Sequence, residues 1–562
     1  MSCSLPVHER HTYIYNTISL HDTTEKIEKY MLTLRSYILT AIVTSLPVAT
    51  YAQDTYDAQT FTRSGLNGTA RFVSMGGALG ALGADVSVMS TNPAGTALYR
   101  RSDVAATASL LFTDDKAMDQ SSTRVSFDQI GTVIAFDVDA PSSTGVQFVN
   151  FGVNLNKKNN FFFNQATDIQ HLNNTFSQTF QIGNLCADAF TNDYYGSMAD
   201  MCAGIYKGNN RRGGLLYESY YHVADDGTET LLGNTLFRPS AGSSDIYLDP
   251  ADNDKVNMIV YEGVPAQSAY YEKAERGYNN QMDINLSFNI SDRVFLGTSV
   301  GVYTADYTRE SFYQEVGIDR TVYDLTNWYT TTAEGFDVKL GLIFRPFIDS
   351  PFRMGVSVHT PTWYRMIDSN GSQLFINDEF HAQCFNDEYE YDFRTPWKFG
   401  VSLGHTVGSS FAIGAEYEYS DLSAAHYSEV EGVNSSYFRN VNKKTEQTLK
   451  AQHTLKVGME FKPIDSYSIR FGYNYVSSPI RDDAFRTIGY DSPFTETDFT
   501  NWGDTHRFCF GAGYSFRGGY IDLAYQYQTQ KGKFYAFDDV DLKATDIKNN
   551  RSQVMATLGF RF

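Results

Sequence analysis

The stretch of sequence that decides the fold spans residues 68–99 and reads GTARFVSMGGALGALGADVSVMSTNPAGTALY. It is glycine-rich and mildly apolar, and it contains neither an uninterrupted apolar run of membrane-helix length nor the alternation of a strand. From Asp103 to the end of the chain, apolar and polar residues alternate with a period near two. We therefore predict an all-β fold: a transmembrane antiparallel β-barrel with the compact N-terminal segment inside it as a hatch.

The composition agrees with a membrane barrel and excludes two other classes of protein. A mean hydropathy of -0.34 excludes a bundle of membrane helices, since each span needs roughly 20 consecutive apolar residues. A barrel strand exposes only half of its residues to lipid, so its average hydropathy is nearly polar. The 39 Tyr and 40 Phe fit aromatic girdles at the two membrane interfaces. A formal charge of -20 argues against nucleic acid as a partner.

The start of the chain resembles a targeting signal. Lys26, Lys29 and Arg35 precede a short apolar run, 37–48, which is followed by small residues up to Ala52. This order is typical of a secretory signal peptide, which we place at 31–52 with Met31 as the start. Residues 1–30 are then an over-extended, unstructured start, 53–102 form the hatch and 103–562 form the barrel.

The alternation is clear in segments such as Met282–Ile290, where apolar residues interleave with Asp283, Asn285, Ser287 and Asn289. Successive side chains of a strand point to opposite faces, so each such segment has one apolar and one polar face. We predict fourteen strands, an even number as bacterial membrane barrels have. They are 103–113, 124–138, 146–157, 278–290, 293–306, 334–345, 352–366, 389–405, 409–420, 449–462, 466–478, 504–517, 519–531 and 551–562.

Short and long connections alternate along these strands, and the longest is a polar insertion at about 158–277. Short turns of such barrels face the periplasm and long loops face outwards, so both termini are expected to be periplasmic. The last strand ends on Phe562 and resembles the signal that outer-membrane barrels present to their assembly machinery.

The segment 68–99, above all Ser90-Thr91-Asn92-Pro93-Ala94, resembles the N-terminal hatch of the FadL family of outer-membrane transporters for hydrophobic compounds. Two later stretches are also similar to that family, 395–404 followed by 414–419 and 507–514 followed by 521–525. The insertion before residue 278 departs from the family pattern.

The resemblance implies a fourteen-stranded plugged barrel in the outer membrane that takes up hydrophobic small molecules passively, such as long-chain fatty acids or aromatic hydrocarbons. An apolar pocket would lie above the hatch, with outer-membrane lipid around the barrel and no cofactor. The candidate hatch and gating residues are Gly76, Gly77, Gly80, Gly83, Asn92, Pro93 and Ala94. The glycines allow close contact with the wall, and Asn92 can hydrogen-bond the turn that Pro93 fixes.

Other interpretations stay open. The same fold could be a secretion-system docking protein or a surface receptor for haem-like ligands, and a general diffusion porin is a third class. The glycines could also form a packed turn with no gating role. No phosphate-loop lysine and no nucleophile-elbow motif follows the glycines or occurs elsewhere, so we do not expect an enzyme.

A few residues could bind ligands or each other. Lys339, Lys398 and Lys456 fall on the polar phase of their strands and are candidate anchors for a ligand carboxylate. Cys186 and Cys202 share one polar insertion and could form a disulfide or stay free. The acidic residues Asp245, Asp249, Asp252 and Asp254 do not match a calcium loop, so no metal is expected.

Overall fold

The computed structural model describes residues 55–63, 65–138, 145–170, 266–317, 320–433, 435–486, 498–537 and 542–562, and it gives only the backbone of 381–387 and of five strands between 211 and 260. The predicted start and signal peptide, 1–52, lie outside these ranges. None of the helices in them is both long and apolar enough to cross a membrane.

Strands make up most of the described chain. They are β1 (Asp103–Thr113), β2 (Thr123–Asp137), β3 (Val146–Asn160), β4 (Phe163–Asp168), β5 (Arg211–Gly213), β6 (Tyr217–Val223), β7 (Glu229–Leu236), β8 (Asp245–Asp249), β9 (Asp252–Val260), β10 (Ala266–Ile290), β11 (Val294–Gly317), β12 (Val322–Phe344), β13 (Arg353–His359), β14 (Trp363–Ile376), β15 (Glu379–Arg394), β16 (Lys398–Val407), β17 (Phe411–Asp421), β18 (His426–Glu429), β19 (Ala451–Ile464), β20 (Tyr467–Val476), β21 (Phe499–Phe516), β22 (Gly519–Tyr535) and β23 (Thr545–Arg561).

Eighteen of these strands form one antiparallel sheet that closes into a barrel. The first strand pairs with the last, from Asp103 opposite Arg561 to Thr113 opposite Arg551. Ten positions in the wall are single strands, and four are consecutive pairs: β3 with β4, β13 with β14, β15 with β16, and β17 with β18. The wall therefore has fourteen strand positions, which confirms the predicted barrel and its strand number.

The two faces of the wall have opposite chemistry. On β10, Met282, Ile284 and Leu286 are about two-fifths exposed on the outside, whereas the alternating residues Asp283 and Asn285 are fully buried inside. Similar outward apolar side chains recur on the neighbouring strands, for example Leu340, Val401, Phe471 and Leu558. A closed barrel with an apolar outer band and a polar interior is the structure that strands need in order to span a lipid bilayer.

Several strands run farther than the sequence predicts. β10 begins at Ala266 and β11 ends at Gly317, so the ends of the predicted connections at 158–277 and 307–333 are strand. β10 and β11 stay paired through this extension. The prediction was wrong here because outward residues beyond the lipid are polar, which removes the contrast between the two faces.

Two predicted strands, 352–366 and 389–405, are interrupted. Pro361 separates β13 from β14, and Pro396 separates β15 from β16, because proline has no N–H for the strand ladder. Thr362 and Thr395 partly replace the lost pairing, since Thr362 N–H donates to the Thr395 hydroxyl and Thr395 N–H donates to the Thr362 carbonyl.

Helices are few. They are α1 (Thr55–Thr62), α2 (Ala70–Ser74) and α3 (Ser436–Thr448), with single 3₁₀ turns at Val86–Ser90, Pro93–Leu98, Leu422–Ala424 and Val430–Gly432. The sequence analysis does not predict α3. Its start is fixed by Ser435, whose hydroxyl accepts from Phe438 N–H, and Phe438 and Val441 are buried on its inner side.

Candidate functional site

The segment 65–99 lies inside the barrel, and Asn92 connects two of its turns. The Asn92 side-chain oxygen accepts from Ala94 N–H at 3.2 Å, and its amide nitrogen donates to the Gly80 carbonyl at 2.9 Å. Asn92 therefore bonds both the turn at Pro93 and the glycine turn. From here on, the hatch means this segment, 65–99; it excludes α1, which lies within the hatch predicted over 53–102. Its role as a moving gate stays a prediction.

Glycines on both sides allow the hatch to contact the wall closely. Gly76 has φ +64, and a Cβ there would lie 2.8 Å from the Tyr473 carbonyl oxygen. Conversely, a Cβ on Gly472 of β20 would lie 2.2 Å from Gly76 N. At eight further wall glycines an added Cβ would also lie within 3.0 Å of a hatch atom: Gly152, Gly297, Gly341, Gly355, Gly404, Gly414, Gly458 and Gly511.

Polar contacts complete the attachment of the hatch. Gly80 N–H donates to a carboxylate oxygen of Glu416 at 3.0 Å, and the Arg71 guanidinium lies 3.3 Å from Glu460. The Asn150 amide donates to the carbonyl of Thr96 at 2.7 Å. Each contact joins the hatch to a different wall strand, so the hatch is bonded around the barrel rather than to one side.

The three lysines that the sequence singles out differ in their surroundings. Lys339 lies 2.9 Å from Asp283 and 2.5 Å from Asp337. Lys456 lies 2.7 Å from Glu416 and 2.6 Å from Glu418.

Lys398 has no carboxylate within 4.0 Å among the described residues. The two paired lysines are already neutralised, so Lys398 is the strongest of the three candidate anchors.

Two adjoining cavities lie between α1 and the hatch. One, of about 110 Å³, is lined by Lys158, Lys398, His359 and Tyr303 among others. The other, of about 90 Å³, also includes Lys158 and continues to Arg507 and Arg551. Polar and basic side chains therefore dominate both cavities.

Lys158 is a lumen residue that the sequence analysis missed. Its ammonium nitrogen lies 4.6 Å from the centre of the Tyr303 ring, and no ion pair of Lys158 occurs among the described residues. The predicted strand ended at residue 157, although Asn154 and Asn156 on the same phase point inwards. Extending the alternation by one residue would have identified Lys158.

Aromatic side chains line the lumen on the other side of these cavities, towards the long loops. Helix α1 lies among them: Phe61 contacts the rings of Phe161 and Tyr307 edge-on at 5.9 and 6.0 Å, and Tyr56 contacts Phe499 at 5.6 Å. The buried cluster also includes Tyr271, Tyr329, Tyr364, Tyr391, Tyr427, Phe393 and Phe438. The resemblance implied an apolar pocket above the hatch; in the described structure α1 occupies the space between the rings.

The backbone ladder between β2 and β3 is incomplete. Their backbone pairing stops at Gln129 opposite Asn156, although β2 continues outwards to Thr123 and β3 to Asn160. A side-chain contact crosses the gap, from the Lys157 ammonium to the Ser126 hydroxyl at 2.8 Å. We call this region the β2–β3 seam.

The remaining residues singled out in the sequence are two cysteines and an acidic group. Cys186 and Cys202 lie outside the described residues, and so do the side chains of the acidic group at 245–254. Over the residues that are described, no cluster of three or more His, Cys, Asp or Glu could bind a metal ion. Cys509 is a buried free thiol.

The fold and the lumen together define a membrane β-barrel with an N-terminal segment inside it. No family model and no curated protein matches the sequence.

Solved structures do match. The chain is similar to a Pseudomonas aeruginosa FadL homologue at 12% identity, over 89% of this chain and 99% of that chain, with a TM-score of 0.47. The toluene transporter TodX of P. putida gives the same values. The toluene transporter TbuX of Ralstonia pickettii matches at 11% identity, over 88% and 99% of the two chains, with a TM-score of 0.44. These matches are of the type that the resemblance names, but similarities this distant carry no argument about substrate or mechanism.

Proposed function

We propose that this protein is an outer-membrane channel for the passive uptake of hydrophobic small molecules. The proposal rests on the order of three regions along the lumen. An aromatic compartment lies towards the long loops, the basic cavities lie below it, and the hatch follows. Aromatic rings bind apolar groups through burial and ring contacts. The short-turn end, with both termini, faces the periplasm in this proposal.

Binding requires α1 to move from between the rings. A ligand would replace the contacts that Phe61 makes with Phe161 and Tyr307. Helix α1 has only eight residues, and an isolated helix of that length is marginal in water. Its displacement costs these packing contacts, which an apolar ligand can restore. It also breaks the Asp57–Arg309 ion pair at 3.6 Å and the hydrogen bond from the Tyr56 hydroxyl to Asn501.

Lys398 and Lys158 favour long-chain fatty acids over neutral hydrocarbons as ligands. Both line the 110 Å³ cavity directly below the aromatic compartment. A carboxylate placed there would gain charge-assisted hydrogen bonds, and its alkyl chain would extend between the rings. An aromatic hydrocarbon would use the rings alone.

The β2–β3 seam offers a route out of the lumen. Asn67 and Lys158 line the cavity, and Asn67 donates to Asp128 of β2 at 3.2 Å. Side-chain contacts open without breaking a backbone ladder, so release through the wall needs less rearrangement than removal of the hatch. The channel needs no cofactor and no covalent step, and the strand ending at Phe562 would bind the barrel assembly machinery.

The proposal is tested by ligand binding to the purified protein. Extracted in mild detergent, delipidated and refolded, it should bind a fluorescent long-chain fatty acid saturably, and Phe61→Ala should bind it more tightly because α1 is easier to displace. Mass spectrometry of the native extract should find fatty acids or other single-chain amphiphiles enriched over a control barrel. No saturable binding, with a protein partner bound through the 158–277 insertion, would instead favour a docking protein.

A further inference from the structure

The mouth of the barrel at the short-turn end carries a group of arginines next to the hatch. Arg345 follows β12 directly, two residues after the inward-facing Ile343, and Arg353 begins β13. Because Phe344 pairs with Met354, these two arginines are cross-strand neighbours. Arg100 comes directly after the hatch and contacts Asp292 in the adjacent turn.

The positive charge of this group is not neutralised within the described residues. Asp292 is bonded to Arg100, whereas no described carboxylate lies within 4.0 Å of Arg345 or Arg353. Arg353 is repelled electrostatically by both Arg345 and Arg100. A bound anion would balance the positive charge that these arginines share.

The hydrogen bonds of these arginines are also incomplete. Arg345 donates to the carbonyls of Asp292 at 3.2 Å and Ser350 at 3.4 Å, and Arg353 donates to the carbonyl of Leu82 in the hatch at 3.0 Å. The Nε atoms of both arginines are buried and have no partner. A buried donor without an acceptor is destabilising, and an added acceptor would satisfy it.

We infer that Arg345 and Arg353, assisted by Arg100, form a binding site for an oxyanion of the phosphate type at the short-turn mouth. The planar guanidinium binds the oxygens of such a group in pairs. The anion would share Arg353 with the Leu82 carbonyl, so its binding is linked to the hatch. The site does not depend on the proposed hydrophobic ligand.

The test is titration of the full mature chain in a non-ionic detergent with inorganic phosphate and, separately, with dihexanoyl phosphatidylglycerol. We expect saturable binding of at least one probe, weakened at least tenfold in Arg345→Gln/Arg353→Gln. Arg517→Gln is the matched control, because Arg517 is an exposed arginine of another short turn, and it should bind like the wild type. Binding of both probes identifies the phosphate group as sufficient, and binding of the lipid alone identifies a lipid headgroup as the ligand.

Two outcomes would overturn the inference: neither probe binds the wild type, or binding is unchanged in the double variant. The wild-type titration decides the first without any variant. If the double variant does not fold, Arg353→Lys is tested instead. It retains the positive charge but loses the paired N–H donors of the guanidinium, so it should bind the probe at least threefold more weakly. Failure of fatty-acid binding would leave these results untouched, so the two proposals can be distinguished.

Discussion

The two halves of the lumen are built by different means. Around the hatch, the wall carries glycines that lie against the hatch backbone, such as Gly472, and buried ion pairs, such as Lys456 between two carboxylates. Beyond Pro361 and Pro396, many inward positions are aromatic. Helix α1 packs there through ring contacts and one ion pair, Asp57 with Arg309. Contacts of the first kind tolerate little displacement, whereas ring packing can be remade around another apolar group. Under the proposed function, the hatch half mainly stabilises the barrel and the outer half binds the ligand.

The largest effect is expected from removing a cation of the hatch half. Lys456→Met removes the ammonium that the buried Glu416 and Glu418 both contact, which costs about 3–5 kcal/mol of unfolding free energy. Urea unfolding in detergent should measure this loss. Lys398→Met, which removes a lysine with no described carboxylate partner, serves as the control and should change stability by less than about 1 kcal/mol.

A smaller loss should follow Gly472→Ala. The added Cβ would lie 2.2 Å from a hatch backbone nitrogen, so either the hatch or β20 must shift. Overpacking of this kind costs about 1–3 kcal/mol. Urea unfolding in detergent should measure this loss of unfolding free energy. Leakage of small solutes through the barrel in vesicles should detect the shift of the hatch.

Gly503→Ala is the matched control, because a Cβ there meets only the Lys531 carbonyl at 3.2 Å. Equal behaviour of the two variants would show that the close contact of the hatch with the wall is unimportant.

The third prediction concerns ligand rather than stability. If Lys398 binds a carboxylate, Lys398→Met should weaken fatty-acid binding about tenfold, equivalent to about 1.4 kcal/mol, and leave binding of a neutral aromatic hydrocarbon unchanged. Fluorescence titration with both ligands measures the difference. Lys443→Met, on the exposed side of α3, is the control. An equal loss for both ligands would assign Lys398 to packing.

The smallest effect is expected beyond the membrane. Arg365 on β14 lies 2.8 Å from Asp392 and 3.1 Å from Glu390, and the side chain is 47% exposed. Exposed pairs contribute about 0–1 kcal/mol, so Arg365→Gln should lower the unfolding free energy by less than about 1 kcal/mol. A loss as large as that of Lys456→Met would mean that the extended strands, and not the hatch half, stabilise the barrel.

The sequence predicts the part of the barrel that lipid surrounds, because lipid requires apolar residues at every second position. Segments such as Met282–Ile290 were identified for this reason. Outside the bilayer that requirement ends, so the upper parts of β10 and β11 and the breaks at Pro361 and Pro396 were not predicted.

The candidate site was predicted only in part. The inward phase of Lys339 and Lys456 follows from alternation, but their pairing does not. Lys339 meets Asp283, which is 56 residues away in sequence, and only the register of three strands brings them together. Lys158 was missed because the predicted strand ended one residue too early.

The position of the closing contact has a consequence for assembly. The wall closes between β1 and β23, and the hatch ends at Tyr99, only a few residues before β1 begins. A Cβ added at most wall glycines that face the hatch would lie within about 3 Å of a hatch atom, so a folded hatch has little clearance to slide in along the barrel axis. We therefore expect the hatch to be in place before the first and last strands join, with the wall forming around it. Barrel closure would then enclose the hatch in the same step that completes the wall.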